Sequence, residues 1–182
     1  MDEQLGRGVC WSKEILKGLI EGKLDEDVIR EIQRQPKDED RFEKMLEIEQ
    51  ERVPWKERIL VPLQEHLYVI EKEDGARVVK CFCGHEFGDY RENWKLMTLV
   101  FDRNPKDGEI YEAPCAADPE WMVLREFYCP GCGALLDVEP VPQGYPFTFS
   151  QIPDIDGFYN ARSELRRKIF TERKETKAKE EV

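Results

Sequence analysis

No run of about twenty apolar residues occurs in this chain, so no segment is long enough to cross a bilayer as a helix. The opening stretch MDEQLGRGVCWSKEIL has acidic residues early and no apolar core, so no secretory signal peptide is expected. A Gly-rich phosphate loop, a nucleophile elbow, an H-E-x-x-H helix and an internal repeat are all missing. Histidine is scarce, with two residues, and His66 has no carboxylate at an obvious catalytic spacing, so it reads as packed or surface-lying. Positive charge is also short: 28 Lys and Arg face 39 Asp and Glu, a net charge of −11. Phosphate contacts need clustered cations, so this balance argues against nucleic acid as a partner. A cytoplasmic chain is expected. In that compartment closely spaced cysteines are more often metal ligands than disulfides.

What is present supports a core, with 40% hydrophobic residues, under a surface rich in charge, at 37%. The spacing predicts three short amphipathic helices in the first 54 residues. Ser12 caps KEILKGLIEG, whose Ile15, Leu16, Leu19 and Ile20 share one face, and Gly22 stops it. Asp25 caps a second helix carrying Val28, Ile29 and Ile32, which Pro36 ends. Asp38 opens a third, with Phe42, Met45, Leu46 and Glu49 in line, closed by Pro54. From Arg58 the pattern changes to strands. RILVPL, HLYVIEKE and RVVKCF surround an Asp74-Gly75 turn and form a hairpin signature. KLMTLVF, MVLREFYC and ALLDVE are further strand candidates, and DRNPKDGEIYEAPCAADPE between them reads as a loop. PVPQGYPFTFSQIPDIDGFY has four prolines and several aromatics, and reads as an extended arm that lies on another surface. The end, from Ala161, reads as a charged helix with eight Lys/Arg against five acids, frayed in its last dozen residues.

The expected fold class is therefore α+β: N-terminal short helices plus an antiparallel, zinc-ribbon-like β domain, with an extended C-terminal segment and a terminal helix. The expected divisions are 1–57, 58–140 and 141–182.

Four of the six cysteines lie in two short motifs, CFCGH at 81–85 and CPGC at 129–132. Zinc favours four soft ligands in a tetrahedron. A C-x-x-C turn followed by Gly can grip one metal, and a C-x-C at the end of a strand points both thiols to one side. Five candidates compete for four places: Cys81, Cys83, His85, Cys129 and Cys132. The four cysteines are the preferred set, with His85 in place of Cys81 as the alternative. Free cysteines of a hairpin are the plain reading against which both stand. A catalytic zinc keeps a position open for water, whereas these motifs supply enough soft ligands to close the shell. The site therefore reads as structural, contributing folding free energy. Cys10 and Cys115 are isolated and receive no role. Trp55, Trp94 and Trp121 sit near element boundaries, as core or interface anchors.

Several blocks carry a family resemblance: PKDEDRFEKMLEIEQERVPWKERILVPL, VKCFCGHEFGDYRENWKL, REFYCPGCGALLDVEPVPQGYP and PDIDGFY. Together, from about Lys13 to Tyr159, they resemble the small (gamma) subunit of acetone carboxylase, and the small subunit of acetophenone carboxylase is similar. C-x-C-G-H followed by D-x-x-x-N-W-K is the most distinctive block. The resemblance implies a non-catalytic, zinc-bearing accessory subunit of an ATP-dependent ketone carboxylase, which joins bicarbonate to a ketone to give a β-keto acid. It implies large alpha and beta, hydantoinase-like partner subunits in a hetero-oligomer, with ATP and any catalytic metal on those partners. It places the family's cysteine pairs at Cys81, Cys83, Cys129 and Cys132 and its histidine at His85. A free-standing zinc-ribbon module for protein or nucleic acid is the competing reading, and an independent metalloenzyme with an open zinc ranks below it.

Overall fold

The computed structural model describes residues 10–107, 112–149 and 151–164. The chain divides into two compact units, Met1–Phe147 and Thr148–Val182. The first unit opens with three helices, α1 (Lys13–Ile20), α2 (Glu26–Arg34) and α3 (Arg41–Arg52). The Ser12 side chain accepts the Ile15 N–H at 3.3 Å, as its capping role requires. Past α1, Gly22 takes a positive φ of 65°, and its N–H and that of Lys23 close back onto the helix carbonyls. The third helix starts later than its sequence suggests. Asp38 does not open it. Its buried carboxylate holds Arg41 and Lys44 from outside the helix, and Asp40 takes the cap position. Trp11, Leu16, Ile32 and Ile48 form the buried centre of this helical part. Full burial of a Leu or Ile contributes about 1.5–3 kcal/mol.

A four-stranded antiparallel sheet follows, in the order β1 (Arg58–Gln64), β2 (Leu67–Glu71), β3 (Arg77–Cys81), β4 (Glu86–Asp89). The register pairs Leu67 with Cys81 and Val69 with Val79, which puts these four on one face. Tyr68, Lys80, Ile70 and Val78 occupy the other, where Leu46 of α3 and Trp55 pack. The β2–β3 connection turns at Gly75, with φ at 82°, and Asp74 accepts the Ala76 N–H.

A second sheet is three-stranded, in the order β5 (Leu99–Arg103), β6 (Val123–Tyr128), β7 (Leu135–Val141). The strand expected over KLMTLVF is only half realised. Trp94–Met97 form a 3₁₀ turn, in which Asn93 accepts the Lys95 N–H, and the strand begins at Leu99. The cause is Lys95, which is buried and pairs with Asp137 at 2.7 Å and with Glu139, both on β7. Reaching them requires the chain to turn.

In the second unit, residues 151–154 form no regular element and α4 covers 155–164. The proline- and aromatic-rich stretch is therefore helical from Ile155, because the Asp154 side chain accepts the Gly157 N–H and starts the helix. Phe158 meets Tyr159 edge-on, and Arg162 lies over the Phe158 ring. The charged tail beyond residue 164 lies outside the described residues. The fold class is α+β: N-terminal helices, two antiparallel sheets, a four-cysteine cluster consistent with a zinc ribbon, and a C-terminal helix.

Candidate metal centre

Cys81 ends β3, and Cys129 directly follows the last residue of β6. Each therefore stands at the exit of a strand, and each is followed by a tight turn. In the first turn the Cys81 N–H donates to the His85 carbonyl at 2.8 Å, and the Gly84 N–H donates back to the Cys81 carbonyl at 2.9 Å. In the second, the Cys129 N–H donates to Ala134 O at 2.9 Å and the Gly133 N–H to Cys129 O at 2.8 Å. Gly84 and Gly133 follow the second cysteine of each motif and adopt φ of 102° and 72°, a region that L side chains resist. The glycines thus let each chain curl around its sulfurs. Amide N–H groups then point at the thiols: Cys83 at Cys81, His85 at Cys83, and Ala134 at Cys132.

The two turns bring all four sulfurs within 4.8 Å of one another. Cys81 Sγ lies 3.8 Å from Cys132 Sγ, and Cys83 Sγ lies 3.7 Å from Cys129 Sγ. A tetrahedron with Zn–S bonds of ~2.3 Å has edges of ~3.8 Å, whereas a disulfide needs ~2.0 Å. The four cysteines thus fit a metal such as zinc, and they are not bonded to each other. Cys81 and Cys129 are buried, while Cys83 and Cys132 lie on the solvent side. Burial pushes the Cys81 and Cys83 thiols above the usual thiol range, against the pull of their amide donors. At Cys132 burial acts upward too, but the Ala134 N–H and the neighbouring sulfurs outweigh it and leave that thiol lowered. Metal ligation requires thiolates, so uptake of an ion here would release protons.

His85 lies beside the cluster and outside the group of mutually close ligand atoms, which comprises the four cysteines. Its ring meets Phe87 edge-on at 4.9 Å. From Phe87 an edge-to-face row continues through Trp94 at 6.1 Å, Phe127 at 6.4 Å and Phe147 at 5.6 Å. Each such pair adds about 0.5–1.5 kcal/mol beyond its buried area. Phe87 lies just past the first motif and Phe127 just before the second, so the row joins the two sheets alongside the sulfurs.

Two contributors escape motif reading. Gly131 sits where a Cβ would come within 3.0 Å of His85 Cβ and 3.2 Å of Cys83 Sγ, so any side chain there would crowd the second turn against the first. Its place inside C-P-G-C was visible, but the neighbour that makes it necessary was not. Trp55 Nε1–H donates to the carbonyls of Cys81 at 3.2 Å and Phe82 at 3.0 Å. Nothing in its sequence position, next to Pro54, signalled that contact. His66 packs edge-on to Phe82, and its carbonyl accepts the Phe82 N–H.

Cys10, Asp38 and Asp40 also lie close together. The Lys44 ammonium stands among them, 3.2 Å from Cys10 Sγ, 3.3 Å from Asp38 and 3.0 Å from Asp40, so a fixed cation already serves this group. Cys115 is exposed in a 3₁₀ turn. A cavity of about 750 Å³ opens at the far end of the first sheet, lined by Lys56, Glu57, Arg58, Glu71, Lys72 and Glu86 among others. No cysteine or histidine lines it.

A family model described as acetone carboxylase gamma subunit matches residues 53–163, a span that holds both cysteine motifs. The chain is 39% identical over 154 residues to the acetone carboxylase gamma subunit of Xanthobacter autotrophicus, covering 83% of this chain and 92% of that one. It is 35% identical over 107 residues to the acetophenone carboxylase beta subunit of Aromatoleum aromaticum, covering 55% of this chain and 80% of the relative. With the sulfur cluster lying inside the matched span and the Xanthobacter protein matched over nearly its whole length, the chain belongs to the acetone carboxylase gamma subunit family.

Proposed function

We propose that this chain is a small accessory subunit of a ketone carboxylase, fastened by one structural zinc ion on Cys81, Cys83, Cys129 and Cys132. The observation that carries the reading is the set of four sulfurs at tetrahedral spacing, contributed in pairs by two sheets. A zinc ion with four thiolates has no coordination position left for a substrate, so what it supplies is a cross-link between the sheets. The reaction, ATP-dependent joining of a ketone and bicarbonate, belongs to larger hydantoinase-like alpha and beta subunits, which also hold the nucleotide and any catalytic metal. The relatives' names, acetone carboxylase gamma subunit and acetophenone carboxylase beta subunit, support a place in such an assembly. The complex works in the cytoplasm.

Native mass spectrometry of the complex purified through a tag on this chain, with metal analysis of the same sample, tests the proposal. The expected result is two kinds of large subunit retained and one zinc per copy of this chain. Recovery of this chain without those subunits, or without zinc, would overturn it.

A further inference from the structure

We propose that Trp55 is a positioning residue for the first cysteine turn, and that it links retention of the ion to the packing of helix α3. The inference rests on the reading that an ion sits among the four sulfurs. A peptide unit is planar, with its carbonyl and N–H directed oppositely. The Phe82 carbonyl and the Cys83 N–H belong to one such unit. Trp55 Nε1–H holds the carbonyl end at 3.0 Å, and the N–H end points at Cys81 Sγ. The preceding unit is held in the same way at both ends. Trp55 reaches the Cys81 carbonyl at 3.2 Å, and the Phe82 N–H donates to His66 O at 2.9 Å. The indole also covers Gly84, where a Cβ would lie 3.5 Å from Trp55 Cδ1. One side chain thus fixes both peptide planes between the two cysteines of the C-x-C turn.

Trp55 is in turn held from α3. Tyr68 meets its ring edge-on at 5.8 Å, and the Tyr68 hydroxyl donates to the buried carboxylate of Glu49 at 2.7 Å. Gln50, the next residue of the helix, accepts the Ile59 N–H at 3.0 Å, which ties α3 to β1. A continuous path therefore runs from α3 through Tyr68 and Trp55 to the amide that faces Cys81. Groups that orient ligands from behind typically change metal affinity about 10–100-fold when removed, and coupling between two sites is reciprocal.

The test uses the full chain loaded with cobalt(II) as a visible substitute for zinc. W55F keeps a ring and loses the N–H. Relative to wild type, it is expected to release the ion to a chelator about 10–100-fold faster and to shift the thiolate-to-cobalt absorption band. Reciprocally, stripping the ion from wild type should speed amide exchange across 41–52, and in W55F that response should shrink. Y68F, which keeps the ring and loses the bond to Glu49, is the second variant, should W55F fail to fold. It is expected to release the ion several-fold faster. Wild type that takes up no cobalt overturns the ion reading, and this inference with it. Wild-type uptake with an unaltered band and release rate in W55F overturns this inference alone. Unaltered release in Y68F overturns the link to α3.

Discussion

At Gly131 one hydrogen atom sets how closely the two cysteine turns approach. A methyl group there would press on Cys83 Sγ and on His85 Cβ, and the latter cannot retreat without moving the backbone of the first turn. Overpacking of this kind costs about 1–3 kcal/mol. G131A should therefore lower the melting temperature of the zinc-loaded chain and weaken its hold on the ion, as scanning calorimetry and chelator competition would show. A second residue-scale prediction concerns pH. Arg103 binds the buried Glu126 carboxylate at 2.7 and 3.0 Å and holds its pKa below the ordinary carboxylate range. The unfolded chain then takes up the proton before the folded one does. This contribution is fully present above the unfolded value, ~4.3, and is lost as pH falls through the lowered folded value. The stability gap between wild type and E126Q, followed by urea melts, should close over that acid window and stay constant at neutral pH.

Among the elements, those with local signals could be read in advance. Ser12 caps α1, and the runs of β1 to β3 and the Asp74-Gly75 turn lie where β-branched and aromatic content and turn chemistry put them. Within the site, the two cysteine turns were legible for the same reason, since each is complete within a few residues. The start of α4 at Ile155 was missed although Asp154 caps it locally, and two other elements were not legible because distant partners decide them. β4, Glu86–Asp89, carries no β-branched residue and is a strand because β3 needs a neighbour on that edge. The Trp94–Met97 turn replaces a strand because Lys95 must reach Asp137 and Glu139, more than forty residues on. That ion cluster leads to a prediction at this scale. K95M leaves two carboxylates facing each other with little water, and removing one partner of a buried pair costs about 3–5 kcal/mol. Chemical denaturation should show a loss of that order, and neutralising the acids as well, in K95M/D137N/E139Q, should recover much of it.

For the whole molecule, the proposed ion is what the motifs could not place. Their residues offer five candidate ligands for four places, but only the fold decides that the two turns meet directly, beside the aromatic row from His85 to Phe147. Chelation of the loaded chain should therefore loosen the connection between the sheets before it melts either one. Exchange protection should fall first at 81–85 and 129–134, with β2 losing protection last because all of Leu67–Ile70 is buried. The surface carries a related expectation. Leu96, Met97, Leu99 and Phe101 stand exposed on the turn and the outer strand of the second sheet. Apolar surface of that extent promotes association, so the chain alone should show concentration-dependent light scattering that co-expressed large subunits suppress.

Forty-five residues lie between Cys83 and Cys129. Joining points that far apart costs about 3 kcal/mol of chain entropy from the length-dependent factor alone. Each cysteine turn, by contrast, is finished by hydrogen bonds between residues three to five positions apart. The order of assembly follows from this inequality. The hairpins are expected to form first, each with half of the proposed binding site, and the proposed ion to be captured last, as a clasp between two finished pieces. Refolding should then slow in proportion to how scarce free zinc is, while the early, hairpin-forming phase keeps its speed.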